Sequence, residues 1–172
     1  MEQFVRDARI AQIYEGANAI QALDLVGRKL PQDMGRLLRR FFHPVSGFIE
    51  EHQDDASLTE FLLPFAKAFG KLQQATAVVA QKGLKNPDEA AAASTDYLRL
   101  FGLVAIGFMW LRMAKVAQAK LAAGADGRER FYDTKLKTAR FYFTKLLPQV
   151  NALFLSINAG AKPLMDIDAD AF

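Results

Sequence analysis

The sequence contains no cysteine. Disulfide frameworks, thiolate metal sites and cysteine nucleophiles are therefore excluded. Nothing opposes a reducing compartment, and a cytoplasmic location is expected. Only two histidines occur, His43 and His52, on either side of Pro44. A metal centre needs further ligands at coordination spacing, and none accompanies them, so both are expected to be structural or surface residues. Charge of one sign is also scarce: 22 Lys and Arg stand against 19 Asp and Glu. So small an excess does not mark a nucleic-acid or membrane-surface binder, which would need a localised patch. The opening MEQFVRDARI has no apolar run behind basic residues and does not read as a secretory signal.

Long hydrophobic runs are few. The most apolar, FGLVAIGFMWL at residues 101–111, is bracketed by Arg99 and Arg112. As a helix it reaches about 16 Å, against roughly 30 Å for a bilayer core, so it is expected to be a buried bundle helix and not a membrane span. Sustained alternation of β-branched and aromatic residues is missing throughout, so strands are not expected.

What is present is apolar content at helical spacing. Hydrophobic residues make up 51% of the chain, with 14 Phe, which suits a globular protein able to bury roughly 70% of its unfolded surface. The fold class is expected to be all-α, an up-and-down four-helix bundle preceded by two shorter helices. Phe4, Ala8, Ala11 and Tyr14 share one face of the first helix. Ile20, Leu23, Val26 and Leu30 share a face of the second, which Pro31 ends. A third helix over 33–52 uses Leu37, Phe41, Phe48 and Ile49, with Pro44 bending or interrupting it.

Ser57 followed by Glu60 reads as a capping box opening the next helix, with Pro64 near its first turn. Asn86 and Pro87 read as the N-cap and first position of a long helix to about Ala123. GADG at 124–127 breaks the chain, and a last helix over 128–159 is expected to bend at Pro148 and end at Gly160. Short connections favour antiparallel neighbours. Two units follow, residues 1–31 and residues 32–172.

Several side-chain groups invite a functional reading. Asp166, Asp168 and Asp170 have the spacing that opens a calcium loop, but the glycine and glutamate such a loop requires are missing, and a solvated tail is expected. The last helix mixes Arg128, Arg130, Lys135, Lys137, Arg140 and Lys145 with Phe131, Tyr132, Phe141, Tyr142 and Phe143. That mixture could grip a nucleic-acid backbone, yet an amphipathic helix with aromatics inward shows the same pattern and is the expected reading. Met109, Trp110 and Met113 are expected to fill the core. Tyr14, Glu15 and Gly16 break the chain between the first two helices. On residue type alone, Glu15 is a loop carboxylate capping the helix that begins near Asn18.

Read as a whole, RDARIAQIYEGANAIQALDLVGRKL at residues 6–30 resembles the last part of the helical C-terminal domain of flavin-dependent acyl-CoA dehydrogenases. The shared features are the RDARI helix, the IYEG turn, the Asn and IQ that open the next helix, and the GRK at its end. They cover 25 of 172 residues. The remainder resembles, by length, position and helical character, the added helical domain of the longer branch that includes 3-methylmercaptopropionyl-CoA dehydrogenase. The resemblance implies that residues 1–31 end the catalytic helical domain and residues 32–172 form an additional bundle.

The resemblance also implies chemistry. Glu15 would be the base that removes the α-proton of an acyl-CoA thioester, while a hydride leaves the β-carbon for FAD. Its backbone N–H would help stabilise the enolate-like oxygen. Gly16 permits the tight turn, Tyr14 would line the acyl pocket, and Ala17 and Asn18 would lie near the flavin. Ala17 stands where the family usually has threonine, which removes one hydroxyl from the flavin side. Electron-transferring flavoprotein and a homo-oligomeric assembly are the implied partners. The chain is expected to be a C-terminal piece that, isolated, binds no FAD and has no dehydrogenase activity. A non-enzymatic helical interaction or oligomerisation module is the alternative.

Overall fold

Amphipathic segments punctuated by proline and glycine can bury their apolar stripes only against one another. The structure, a computed structural model, describes residues 1–171, and every regular element among them is helical. Helix α1 (Glu2–Arg9) runs into a 3-10 turn, Ile10–Gln12, and α2 (Ala17–Asp24) continues as a π turn, Leu25–Lys29. Then come α3 (Arg36–His52), α4 (Thr59–Lys85), α5 (Pro87–Ala122), α6 (Glu129–Phe141), α7 (Val150–Ala159) and the short α8 (Lys162–Met165).

Helix α5 is the central rod, with α2, α4, α6 and α7 packed along it. Helix α4 reverses into α5 across Asn86 alone. The Asn86 side chain accepts the Asp88 N–H at 3.0 Å, and Pro87 takes the first helical position, where a missing N–H costs nothing. A Cβ on Gly83 would lie 2.9 Å from that of Ala90, so glycine is what lets the two helices touch there.

The core is built from Phe61, Phe65 and Leu72 on α4, Tyr97, Leu100, Val104 and Leu111 on α5, and Leu147 and Ile157 beyond. Phe65 stacks on Phe69 and Phe108 with centroids 6.3 and 6.0 Å away, beside Gly107, whose bare backbone admits the ring. Helix α3 joins through Phe41 on Phe101 at 5.1 Å and Phe48 on Phe108 at 5.6 Å.

The prolines act differently from the expectation. Helix α3 carries Pro44 in its interior and runs unbroken from Arg36 to His52. It starts at Arg36 because Asp33, Met34 and Gly35 all hold left-handed backbone, which ends any helix before it. The last helix is not continuous: α6 passes into a π turn, Tyr142–Leu146, and a 3-10 turn, Leu147–Gln149, before α7. Pro148 has no N–H for the carbonyl one turn back and its ring crowds that carbonyl, so the backbone widens ahead of it. The π turn after α2 ends two residues before Pro31 in the same way.

The expected capping box does not form. The Asp55 carboxylate accepts the Ser57 N–H at 3.0 Å and its hydroxyl at 2.6 Å, and α4 begins at Thr59 without a side-chain cap. Glu60 instead receives two Arg140 hydrogen bonds at 2.8 Å, tying α4 to α6. The outer side of α5 also departs from the expectation: Met109 and Met113 are exposed and Trp110 half-buried. The inward face of α5 is taken by Val104, Gly107, Phe108 and Leu111, one helical repeat that excludes the other three. By length and composition α5 could cross a membrane, yet this inward face is committed to the core it shares with α4 and α7.

Candidate functional site

The break between α1 and α2 is built from local backbone preferences. The 3-10 turn closes with the Ile13 N–H donating to the Ile10 carbonyl at 3.0 Å, after which Tyr14 and Glu15 leave helical geometry. Gly16 then takes φ +68°, a left-handed conformation open to glycine because it has no Cβ. From there α2 starts at Ala17 with no side chain capping it. Glu15 therefore does not serve as the cap that its residue type suggested. Neither Glu15 nor Gly16 donates its backbone N–H to another backbone carbonyl among the described residues.

Tyr14 is 63% exposed, Glu15, Gly16 and Asn18 are exposed, and Ala17 is half-buried. The five residues share one turn and its helix start, on an open surface. Around them the apolar side chains of the segment are also exposed, with Phe4 at 73% and Ile13 at 72%, and α1 buries no residue. The turn thus presents an aromatic ring, a carboxylate without a partner among the described residues, and backbone N–H groups. Such a set can accept a proton and donate hydrogen bonds to an oxyanion, with no enclosure supplied by the described residues.

The other candidates resolve into structure. His52 is buried, its Nδ1 2.9 Å from the Phe48 carbonyl and its ring stacked on Phe48 at 4.2 Å; its Nε2 has no partner among the described residues. His43 is exposed. No group of three or more His, Asp or Glu residues is placed to hold a metal ion among the described residues, the Asp166 to Asp170 segment included. On α6 and the turn after it, Tyr132, Tyr142 and Phe143 point inward. Lys135 lies over Trp110 and Phe131 at 5.7 and 5.4 Å, Lys137 pairs with Asp133, and Arg140 with Glu60. The cations of this helix are thus largely engaged, as the amphipathic reading requires.

Sequence reasoning missed one feature. A cleft of about 570 Å³ opens between the π turn after α2, the start of α3, the end of α4 and the start of α5. Leu23, Val26, Leu30, Val79 and Leu84 are among its lining residues, with Gly27, Gly35 and Gly83, and none of Tyr14 to Asn18 reaches it. The three glycines spaced around it were its one trace in the sequence, and without a fold they carry no spatial meaning.

Comparison with known proteins covers both halves of the chain. Residues 41–168 match the family described as acetyl-CoA dehydrogenase C-terminal like. A broad-specificity linear acyl-CoA dehydrogenase of Mycobacterium tuberculosis is 32% identical over 179 aligned residues, covering 100% of this chain and 29% of that protein. A 3-methylmercaptopropionyl-CoA dehydrogenase of Ruegeria pomeroyi is 34% identical over 151 residues, covering 87% and 25%. A butyryl-CoA dehydrogenase of Syntrophomonas wolfei is 27% identical over 172 residues, covering 99% and 28%. The chain spans less than a third of the length of these relatives. With an all-helical fold and three quarters of its residues inside the matched region, the chain belongs to the acetyl-CoA dehydrogenase C-terminal-like family.

Proposed function

We propose that this chain is the C-terminal part of an FAD-dependent acyl-CoA dehydrogenase and that Glu15 is the base of its reaction. The observation that carries the reading is the turn itself: an IYEG break in which, among the described residues, the glutamate has no cap role and its N–H no backbone partner. The likeness of the whole chain to enzymes named as acyl-CoA dehydrogenases supports it.

An α-proton beside a thioester is only weakly acidic, so its base must be held against it and kept from water. Glu15 takes that proton on a carboxylate oxygen. Its backbone N–H donates to the thioester oxygen as negative charge builds there, where a fixed donor is worth most. Gly16 lets the turn bring both groups to one side. Tyr14 faces the acyl group, and Ala17 and Asn18 would hold the flavin side. FAD, when bound, supplies the acceptor for the hydride that leaves the β-carbon. Residues 1–31 close the catalytic helical domain in this reading. The bundle over 32–172 covers the active-site side or a subunit interface of a homo-oligomer, and reducing equivalents pass to an electron-transferring flavoprotein.

The test is Glu15→Gln in the complete enzyme, read as the rate of flavin reduction after rapid mixing with acyl-CoA. Loss of a general base should slow that step by about 10²- to 10⁴-fold with flavin content unchanged. A rate within threefold of the parent enzyme would remove Glu15 from the chemistry and favour the interaction-module reading.

A further inference from the structure

The cleft between α2, α3, α4 and α5 lies apart from the Glu15 turn, none of whose residues lines it. Its volume of about 570 Å³ falls in the range of small-molecule pockets, roughly 300–1,000 Å³. Four helical segments wall it, so it is a slot and not a flat face, and its lining is aliphatic side chains, proline and glycine, with Thr76 the one polar side chain. That hydroxyl is already committed. Thr76 Oγ1 donates to the Leu72 carbonyl at 2.7 Å and accepts from the Tyr97 hydroxyl at 2.7 Å. No lining side chain is left with a free polar group, and the surface of the slot is mostly apolar, which favours hydrocarbon over a polar ligand.

The mouth is different. Gly35 lines the rim, and Arg39 Nη1 stands 3.7 Å from where a Gly35 Cβ would be, donating to the Met34 carbonyl at 2.5 Å. Arg36, one residue from that rim, is paired with Asp33 at 2.9 Å, whereas Arg39 has no acidic partner among the described residues. An aliphatic slot with a cation at its edge fits a slender amphiphile carrying an anionic head. We infer that this cleft binds a single saturated acyl chain, its head group held at Arg39. The head comes from a free fatty acid or from the phosphates of an acyl-CoA. The site goes beyond the Glu15 reading and can fail without it, because it needs neither flavin nor the turn.

Gly27 gives the decisive variant. A Cβ added there meets nothing within 4 Å, so Gly27→Phe can fill the slot without a backbone clash and removes a flexible glycine from a helical segment. Isothermal titration of the chain with octanoate, laurate, palmitate and palmitoyl-CoA is the experiment. Saturable binding near one to one is expected, tightening about fourfold per added methylene until the slot is full. Gly27→Phe should weaken palmitate at least tenfold with its melting temperature held or raised. Gly47→Phe, on the exposed side of α3, should change nothing. Whichever of palmitate or palmitoyl-CoA binds more tightly identifies the head group. Absence of saturable binding by both, or equal palmitate affinity in Gly27→Phe, would overturn the proposal.

Discussion

Thr76 and Tyr97 form a buried side-chain pair that bridges α4 and α5 through a hydrogen bond, and its geometry fixes which partner is indispensable. The single hydroxyl proton of Thr76 goes to the Leu72 carbonyl, which can only accept. Tyr97 must therefore donate to Thr76. Tyr97→Phe removes that donor and leaves Thr76 bonded to Leu72, so it should cost about 1 kcal/mol. Thr76→Val keeps the volume but strands a phenol whose residue is 0% exposed, and should cost up to about 3 kcal/mol.

The double variant replaces both partners by apolar groups and should be less destabilised than the sum of the two singles, by about 1–2 kcal/mol. For a chain of this size each kcal/mol moves the melting temperature by about 2–4 °C. Urea titrations followed by circular dichroism give the three values, with unchanged slopes showing that the folded and unfolded states stay comparable. If Thr76→Val proves no more harmful than Tyr97→Phe, or if the two costs simply add, the donor assignment and the buried bond are both wrong.

Phe65→Ala empties the stack between Phe69 and Phe108 and should cost about 3–5 kcal/mol, read in the same titrations; a loss below 1 kcal/mol would mean that the cluster collapses around the gap. Alkali offers an independent check, because burial holds the phenols of Tyr97 and Tyr142 up to about 12. The unfolded chain ionises near pH 10 and so sheds those protons first. The contribution of these two tyrosines should be constant below pH 10 and fall from there toward pH 12, and the combined Tyr97→Phe, Tyr142→Phe variant should lose part of that slope. An unchanged slope would contradict the burial.

The helical rods and their turns were legible in the sequence because they rest on local signals. Asn86 and Pro87 state the start of α5, and Gly160 the end of α7. Signals that depend on a third partner were misread. Ser57 and Glu60 have the spacing of a capping box, but Asp55 reaches Ser57 first and Arg140 claims Glu60 from 80 residues away. Met109 and Trp110 are as apolar as Phe108, and periodicity alone could not say which side of α5 the other helices would take. The Glu15 turn was visible only through its ordered neighbours, since one exposed glutamate carries no signature. The acyl cleft was invisible because its walls come from residues 23 to 91, brought together by the fold.

The central claim is that Glu15 moves the α-proton, and it can be separated from hydride transfer. The complete enzyme, given an acyl-CoA analogue whose β-position cannot release hydride, should exchange the α-hydrogens of the bound thioester with deuterium from D₂O, followed by mass spectrometry. Glu15→Gln should suppress that exchange by about 10²-fold or more while analogue affinity stays within a few fold. Exchange continuing at the parent rate in Glu15→Gln would place the base elsewhere and contradict the account.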